Sequence, residues 1–440
     1  MTEEDRLAYN DSVPDDNSVI AQDNSWSDRL IKKKKKAKRK NADGVEEEYE
    51  YEVIEQSSQN NIYLMTRYSP PLGGIFILNE FSQRKMVAKC PPWQDENKFI
   101  PRDVRDDDYS RVTMELERLG MKPSRERVQG AIESICHDRS WHPAREYFDK
   151  LVWDGKPRLG NWLTCYLGAE HDHPDYLRSV GTKWLIAAVA RIYEPGCKFD
   201  HMLVLEGGTD IGKSLALRKL ATFHGLEYFY DGMSFSMIND KDTMLKIQGN
   251  IIIEFPELSA LGTKDVEDVK QWITIQEDRG RKPYGKEPIV MPRQFILAGT
   301  TNNNEYLRDA TGNKRFWPVR CGVRIDIKAI EIDRGHLWSE AVHLYKSGVK
   351  WYFEENDKDI KLAKIVQSER MLSHPWEEAV LDYVSGMQGV TVENIIVNEI
   401  GMPLHKIRRS DQMVVADILK AAGFVKKRVG TKREWRRENA

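Results

Sequence analysis

The segment HMLVLEGGTDIGKSLALRKLA, His201 to Ala221, limits the fold more than any other stretch of this 440-residue chain. An apolar run, Met202 to Leu205, leads into the pattern G-x-x-x-x-G-K-S from Gly207 to Ser214, and Leu217, Leu220 and Ala221 follow at helical spacing. The order is therefore strand, glycine loop, helix, which belongs to an α/β domain. Gly207 and Gly212 let the backbone curl, so that the N–H groups across Gly208, Thr209, Asp210, Ile211, Lys213, Ser214 and Leu215 converge on one point at the positive end of the helix dipole. Lys213 supplies a cation for the β and γ oxygens of a nucleotide, and the Ser214 hydroxyl is a magnesium ligand in such a loop.

Three later segments complete the expected site. GNIIIEFPEL (Gly249 to Leu258) reads as a strand buried on both faces that ends in a carboxylate. Glu254 is expected beside the magnesium, because a carboxylate closing an apolar strand needs a partner. Glu257, a short turn on, is the candidate for polarising the attacking water, against the plainer reading of a surface acid on a loop. In RQFILAGTTNNNEYL (Arg293 to Leu307) another apolar strand ends in Thr300, Thr301 and Asn302, and Asn302 is placed to sense the γ-phosphate or the water. In DATGNKRFWPV (Asp309 to Val319), Arg315 is the candidate for insertion into a neighbouring subunit's site, where it would stabilise charge on the phosphoryl group. The alternative is a salt bridge that anchors the turn.

Composition adds less than distribution. The net charge is −2, from 67 basic and 69 acidic residues, but residues 401–440 hold eleven Lys or Arg against four Asp or Glu, a local +7. Cysteines at 90, 136, 165, 197 and 321 lack CxxC or zinc-finger spacing, which excludes a disulfide framework and a finger. No apolar run approaches a membrane span, and the polar, acidic N-terminus does not resemble a signal peptide, so a soluble cytoplasmic protein is expected.

Four parts follow. Residues 1–55 are charged, with IKKKKKAKRKN before EEEYEYE, and read as a disordered arm; residues 56–195 read as a mostly helical collar or oligomerisation region. Residues 196–370 are the α/β nucleotide domain, and 371–440 a basic module. Two basic stretches are candidate DNA contacts. One, Asp268 to Arg293, carries Lys270, Arg279, Arg281, Lys282, Lys286 and Arg293 around a PYGK turn, with Tyr284 available for base stacking. The other, Phe424 to Arg437, reads as a basic hairpin bearing Lys427, Arg428 and Lys432; helices before it suggest a winged helix.

The chain resembles the virulence-associated protein E family, whose ATPase is related to superfamily 3 helicases of viruses and plasmids. The residues that carry the resemblance are HPAREYFDKLVWDGKPRL (His142 to Leu159), EPGCKFDHMLVLEG (Glu194 to Gly207), GTDIGKS, IIIEFPEL, DRGRKPYGKEP (Asp278 to Pro288), GTTN (Gly299 to Asn302) and TGNKRFWPV (Thr311 to Val319). The resemblance implies an AAA+-like P-loop core, ATP and magnesium as cofactors, a homo-hexameric ring, and a place in phage or genomic-island replication in a bacterial host. Family members often carry two arginines before FWP; here Lys314 takes the first place, which leaves Arg315 as the finger. Many relatives are fused to a primase, for which the first 130 residues are too short, so a separate primase is expected. The combined expectation is an ATP-dependent DNA helicase that holds single-stranded DNA in its channel and duplex at its C-terminal module. A replication initiator using ATP as an assembly switch, and a protein-remodelling ATPase, remain as alternatives.

Overall fold

A computed structural model describes residues 12–14, 24–40, 45–240, 242–258, 263–281, 288–303, 306–307, 313–354, 358–371, 375–429 and 432–437. The chain divides into two compact units, one built from residues up to 304 with 311–369, the other from 370–440 with 305–310.

The first unit opens with a ribbon. β1 (Lys32–Lys40) and β2 (Glu46–Ile54) pair antiparallel, from Lys32 opposite Ile54 to Lys40 opposite Glu46. The disorder expected over residues 1–55 does not hold for these strands. A strand of like charges repels itself in isolation, but laid against an acidic strand its cross-strand neighbours attract. α1 (Gln59–Tyr68), β3 (Phe76–Asn79), β4 (Arg84–Val87), β5 (Arg102–Asp103), α2 (Asp106–Arg118), α3 (Arg125–Asp138) and β6 (Ser140–Trp141) follow. The strands form a sheet in the order β5-β4-β3-β6, so the region expected to be mostly helical carries four strands as well. Ser124 caps α3 by accepting a hydrogen bond from the Arg127 amide. At the start of α2, Asp108 is fully buried; it accepts two bonds from Arg102, at 2.7 and 2.8 Å, and one from the Arg105 amide.

Three helices, α4 (Pro143–Lys150), α5 (Trp162–Leu167) and α6 (Pro174–Tyr193), lead to the second sheet. α6 is apolar on all sides from Trp184 to Val189, and a helix of that kind must be enclosed. It is: Trp184 is fully buried and its indole donates to the carbonyl of Leu297 at 3.0 Å. The boundary expected at residue 195 therefore runs through one hydrophobic core, which α6 shares with the strands that follow.

Those strands are β7 (Met202–Glu206), β10 (Phe229–Tyr230), β11 (Ile252–Phe255), β14 (Ile296–Thr301) and β15 (Phe316–Arg320), with α7 (Lys213–Leu220) after β7 and a small hairpin of β8 (Thr222–Phe223) and β9 (Leu226–Glu227) before β10. They lie side by side as β10-β11-β14-β7-β15, all parallel. Parallel neighbours need crossovers; α8 (Thr243–Ile247) stands before β11, and α9 (Thr263–Ile273) and the hairpin of β12 (Glu277–Gly280) and β13 (Ile289–Pro292) stand between β11 and β14. After β15 come α10 (Ile327–Lys346) and α11 (Lys358–Ser368); Trp338 of α10 is fully buried and donates to the carbonyl of Leu220 at the end of α7. The result is a mixed α/β unit around a five-stranded parallel sheet.

The second unit runs α12 (Glu377–Tyr383), β16 (Gly389–Val390), α13 (Val392–Asn398), α14 (Arg409–Ala421), β17 (Phe424–Val429) and β18 (Lys432–Arg437), with strand order β16-β18-β17. Val415, Ile418 and Leu419 of α14 pack with Ile395, Phe424 and Trp435 into its own core.

Candidate functional site

In an open parallel sheet, ligands gather beyond the carboxyl ends of the strands. Here three adjacent strands, β11, β14 and β7, end together, with Thr301 beside Glu206 and Glu254 beside Ala298. From β7 the chain enters the glycine loop. Gly207 has φ +149° and Gly212 φ +101°; a Cβ on Gly207 would meet Ile211 Cδ1 at 2.7 Å, and one on Gly212 would meet Ile327 Cδ1 at 3.3 Å. Both positions need glycine. Asp210 also takes a positive φ, +60°, so the loop turns back on itself before α7 begins at Lys213.

The loop and strand ends are tied together by side chains. Lys213 is buried, and its ammonium donates to the carbonyls of Gly207 (2.8 Å) and Gly208 (2.7 Å) and to Asn302 Oδ1 (3.0 Å). Asn302 in turn donates through Nδ2 to Thr209 Oγ1 at 3.2 Å. Burial holds the Lys213 ammonium below its ordinary range, which Cys321 and Glu254 partly offset.

Glu254 is the centre of the arrangement. It is fully buried, and one oxygen, Oε1, accepts from Ser214 Oγ at 2.6 Å and from Thr300 Oγ1 at 2.7 Å. The other, Oε2, is buried with no hydrogen-bond partner among the described residues. Burial pushes this carboxyl above the usual range, and the Ser214 and Thr300 hydroxyls pull it part of the way back. A buried carboxylate oxygen without a donor is an expensive feature unless a cation serves it. The hydroxyl and carboxylate are hard oxygen ligands, which suits magnesium better than a soft or borderline ion. Among the described residues no group of three or more His, Cys, Asp or Glu gathers for a metal. A cation here would thus have few protein ligands, as magnesium does when phosphates and water complete its shell.

The other expected residues fall elsewhere. Glu257 is exposed on the turn after β11, at φ +53°, and has no bond to Lys213, Ser214 or Glu254. Arg315 is half-buried at the amino end of β15, whereas the glycine loop leaves the carboxyl end of the parallel neighbour β7. The five residues of β15 lie between them, roughly 15 Å along the sheet. Arg315 therefore does not reach the loop of its own chain. It lines a cavity of about 930 Å³ with Lys314, Lys198, His201 and Trp351.

Of the central basic stretch, Arg281 is exposed at the end of β12, and Lys282, Tyr284 and Lys286 lie outside the described residues. Two members of the stretch are not surface groups. Arg293 is 2% exposed, binds Asp278 through two bonds of 2.9 and 2.8 Å, donates to the Trp272 carbonyl and stacks over the Trp272 ring. Lys270 is 2% exposed and pairs with Glu267. Arg293 so fastens the β12–β13 hairpin to α9. In the second unit Lys427 and Arg428 are exposed on β17, but as consecutive strand residues they face opposite sides; Lys432 begins β18.

Thr300 has no assigned role in the sequence reading. Its signal is there in principle: a polar residue at the end of a wholly buried strand must meet a polar partner, and Glu254 on the neighbouring strand is that partner.

The model of the virulence-associated protein E-like domain matches residues 148–372, a span that holds the glycine loop, Glu254, Thr300, Asn302 and Arg315. Among solved structures, the apo structure of the NrS-1 C-terminal region (305-718) is 12% identical, with 82% of this chain and 95% of that chain covered and a TM-score of 0.45. The A-form apo structure of the same region is 11% identical over the same shares, with a TM-score of 0.43. No curated protein matches the chain. With its sheet, glycine loop and strand-end carboxylate all inside the matched span, the chain belongs to the virulence-associated protein E-like family.

Proposed function

We propose that the protein is an ATP-driven DNA helicase or translocase acting in the replication of a phage or mobile element. The observation that carries this reading is the buried Oε2 of Glu254, which has no hydrogen-bond partner among the described residues and lies beside Ser214 in the first turn of α7, directly after the glycine loop. On this reading the core is a P-loop ATPase of AAA+-like type, and ATP is bound through the loop from Gly207 to Leu215.

Magnesium would be held by Ser214 and Glu254, and when bound would neutralise charge on the β and γ phosphate oxygens. The protein's own residues do the rest. Lys213, already at the loop, offers its ammonium to the phosphates, and Asn302, bonded to both Lys213 and Thr209, orients the group beyond them. Thr300 keeps the Glu254 carboxylate aimed by occupying its inner oxygen. Arg315, at the far end of the sheet, acts on a neighbouring subunit's nucleotide; its position argues for a ring, and a hexamer is the form proposed. Glu257 remains the candidate for polarising water, through movement of its exposed turn. In the second unit the order helix, strand, helix, helix, ribbon supports a winged helix, with α14 in a groove of duplex DNA and β17–β18 against the backbone.

The test is ATP hydrolysis with and without single-stranded DNA, with Lys213→Ala alongside. Stimulation by DNA that disappears in the variant is expected; hydrolysis indifferent to DNA would refute the motor. The basic stretch 401–440 favours one further reading, an initiator that binds origin duplex and uses ATP to assemble, and sequence-specific binding without unwinding would select it.

A further inference from the structure

The β1–β2 register sorts the residues of the ribbon by face. Directly opposed residues of an antiparallel pair share a face, and neighbours along a strand alternate. One face receives Lys32, Lys34, Lys36, Lys38 and Lys40 together with Glu46, Glu48, Glu50 and Glu52. It is a salt ladder, with Lys34–Glu50, Lys36–Glu48 and Lys38–Glu46 within 4.0 Å. The other face receives Lys33, Lys35 and Arg39 against a single acid, Glu47, and it takes both tyrosines of the ribbon. Lys33 pairs with Glu55 at the root; Lys35 makes no ion pair among the described residues.

This second face has the composition of a stacking platform. Tyr49 and Tyr51 are 42% and 40% exposed, with ring centroids 5.8 Å apart. Lys35 stands opposite Tyr51, and the Arg39 guanidinium lies over Tyr49 at 5.5 Å. Each ring thus has a cation beside it. The ribbon is also held at its root: the fully buried Asn61 donates to the carbonyls of Ile31 and Glu55 and accepts from the Ile31 amide, so one side chain grips both strands.

We propose that the tyrosine face of the β1–β2 ribbon is a binding site for single-stranded nucleic acid. Unpaired bases stack on Tyr49 and Tyr51 while Lys35 and Arg39 meet the phosphates. A duplex offers no free base faces to the rings, and an acidic peptide would use the cations but not the rings. A second copy laid face to face would oppose like charges. The site lies outside the matched residues 148–372 and does not depend on ATP, so it stands or falls apart from the motor reading.

The test uses the full-length protein without nucleotide and a short fluorescent oligothymidylate, read by anisotropy. Tyr49→Ala with Tyr51→Ala, and separately Lys35→Glu with Arg39→Glu, should each weaken binding about tenfold or more, since stacking on one aromatic side chain alone is worth that order. Tyr49→Phe with Tyr51→Phe should bind as the wild type. Exchanging charges on the ladder face, Lys34→Glu with Glu50→Lys and Lys36→Glu with Glu48→Lys, should change little. In the wild type, a bromodeoxyuridine oligomer should photo-crosslink to the peptide holding Tyr49 and Tyr51, a readout that needs no variant to fold. Unchanged binding in the alanine pair, equal loss in the ladder exchange, no crosslink, or preference for duplex would each overturn the proposal. A change of sedimentation in the alanine pair with DNA binding intact would overturn it too, and give the face to a second copy of the chain.

Discussion

Replacing Glu254 by glutamine should raise the stability of the free protein while removing the response to magnesium that the proposed function requires. The carboxylate is fully buried; Ser214 and Thr300 serve Oε1, and nothing among the described residues serves Oε2. A buried polar group without a partner costs about 1–3 kcal/mol, more when charged. Glutamine keeps the volume and the acceptor for both hydroxyls, discards the charge, and leaves a neutral amide in the place of Oε2. A net gain on the order of 1–2 kcal/mol follows, a rise of a few degrees in Tm for a unit of this size. The pH dependence fixes the cause. Burial raises the folded-state pKa above the 4.5 that is ordinary for a glutamate, so the folded protein holds this proton more tightly than the unfolded chain. The stability the group contributes to the wild type is fully present below 4.5 and is lost as pH rises through the folded value. The advantage of Glu254→Gln should therefore be full at alkaline pH and close as pH falls towards 4.5. Thermal unfolding across that range, with and without magnesium and ATP, measures both halves. The wild type should gain about 2.7 kcal/mol at a hundredfold excess over Kd, and the variant should lose the magnesium-dependent part. A lower Tm in the variant at alkaline pH, or a difference that does not change with pH, would show that the buried charge on Glu254 does not destabilise the free protein.

Other expectations bear on the neighbouring residues, and those on hydrolysis, magnesium and a site shared between subunits rest on the proposed function. Thr300→Val leaves Glu254 with one donor and should raise the magnesium needed for half-maximal hydrolysis about tenfold; an unchanged requirement would deny Thr300 a positioning role. Arg315→Ala should cut hydrolysis about a thousandfold with nucleotide affinity intact, and mixing it with Lys213→Ala should restore part of the rate, because each variant lacks a different half of a shared site. No recovery on mixing would place Arg315 outside the neighbour's site. Asp278→Ala strands the buried Arg293 and should lower the unfolding free energy by about 3–5 kcal/mol, read from a urea midpoint. Burial lowers His201 from 6.5 to about 4, so the folded state takes this proton less readily than the unfolded chain and stability falls as pH drops through 6.5 towards 4. His201→Gln should flatten that acid limb.

What could be read in the sequence divides by whether one segment or two must be known. The glycine loop is legible because a single stretch fixes it: Gly207 and Gly212 take backbone angles that other residues resist, and Lys213 is the first residue of the helix they admit. Glu254 is legible for the same reason, as the one carboxylate in an apolar strand, next to its end at Phe255. Thr300 is not, because its role depends on β11 lying beside β14 in a register that sets Glu254 against Ala298. Arg293 and Lys270 count as basic residues in a composition, yet Asp278 and Glu267 neutralise both inside the fold. The ribbon was written in the chain, although not in its basic half. KKKKKAKRK has no alternation to read, whereas EYEYE repeats with the period of a strand, glutamates at 48, 50 and 52 against tyrosines at 49 and 51. Once that half is a strand, its partner is the opposite charge next to it, and the pairing register decides which lysines are neutralised. A charge total for such a segment averages over two faces that differ chemically. The same holds on β17, where Lys427 and Arg428 adjoin in sequence but face opposite ways. The unit that meets a ligand is the face, and the face exists only after the strands have paired.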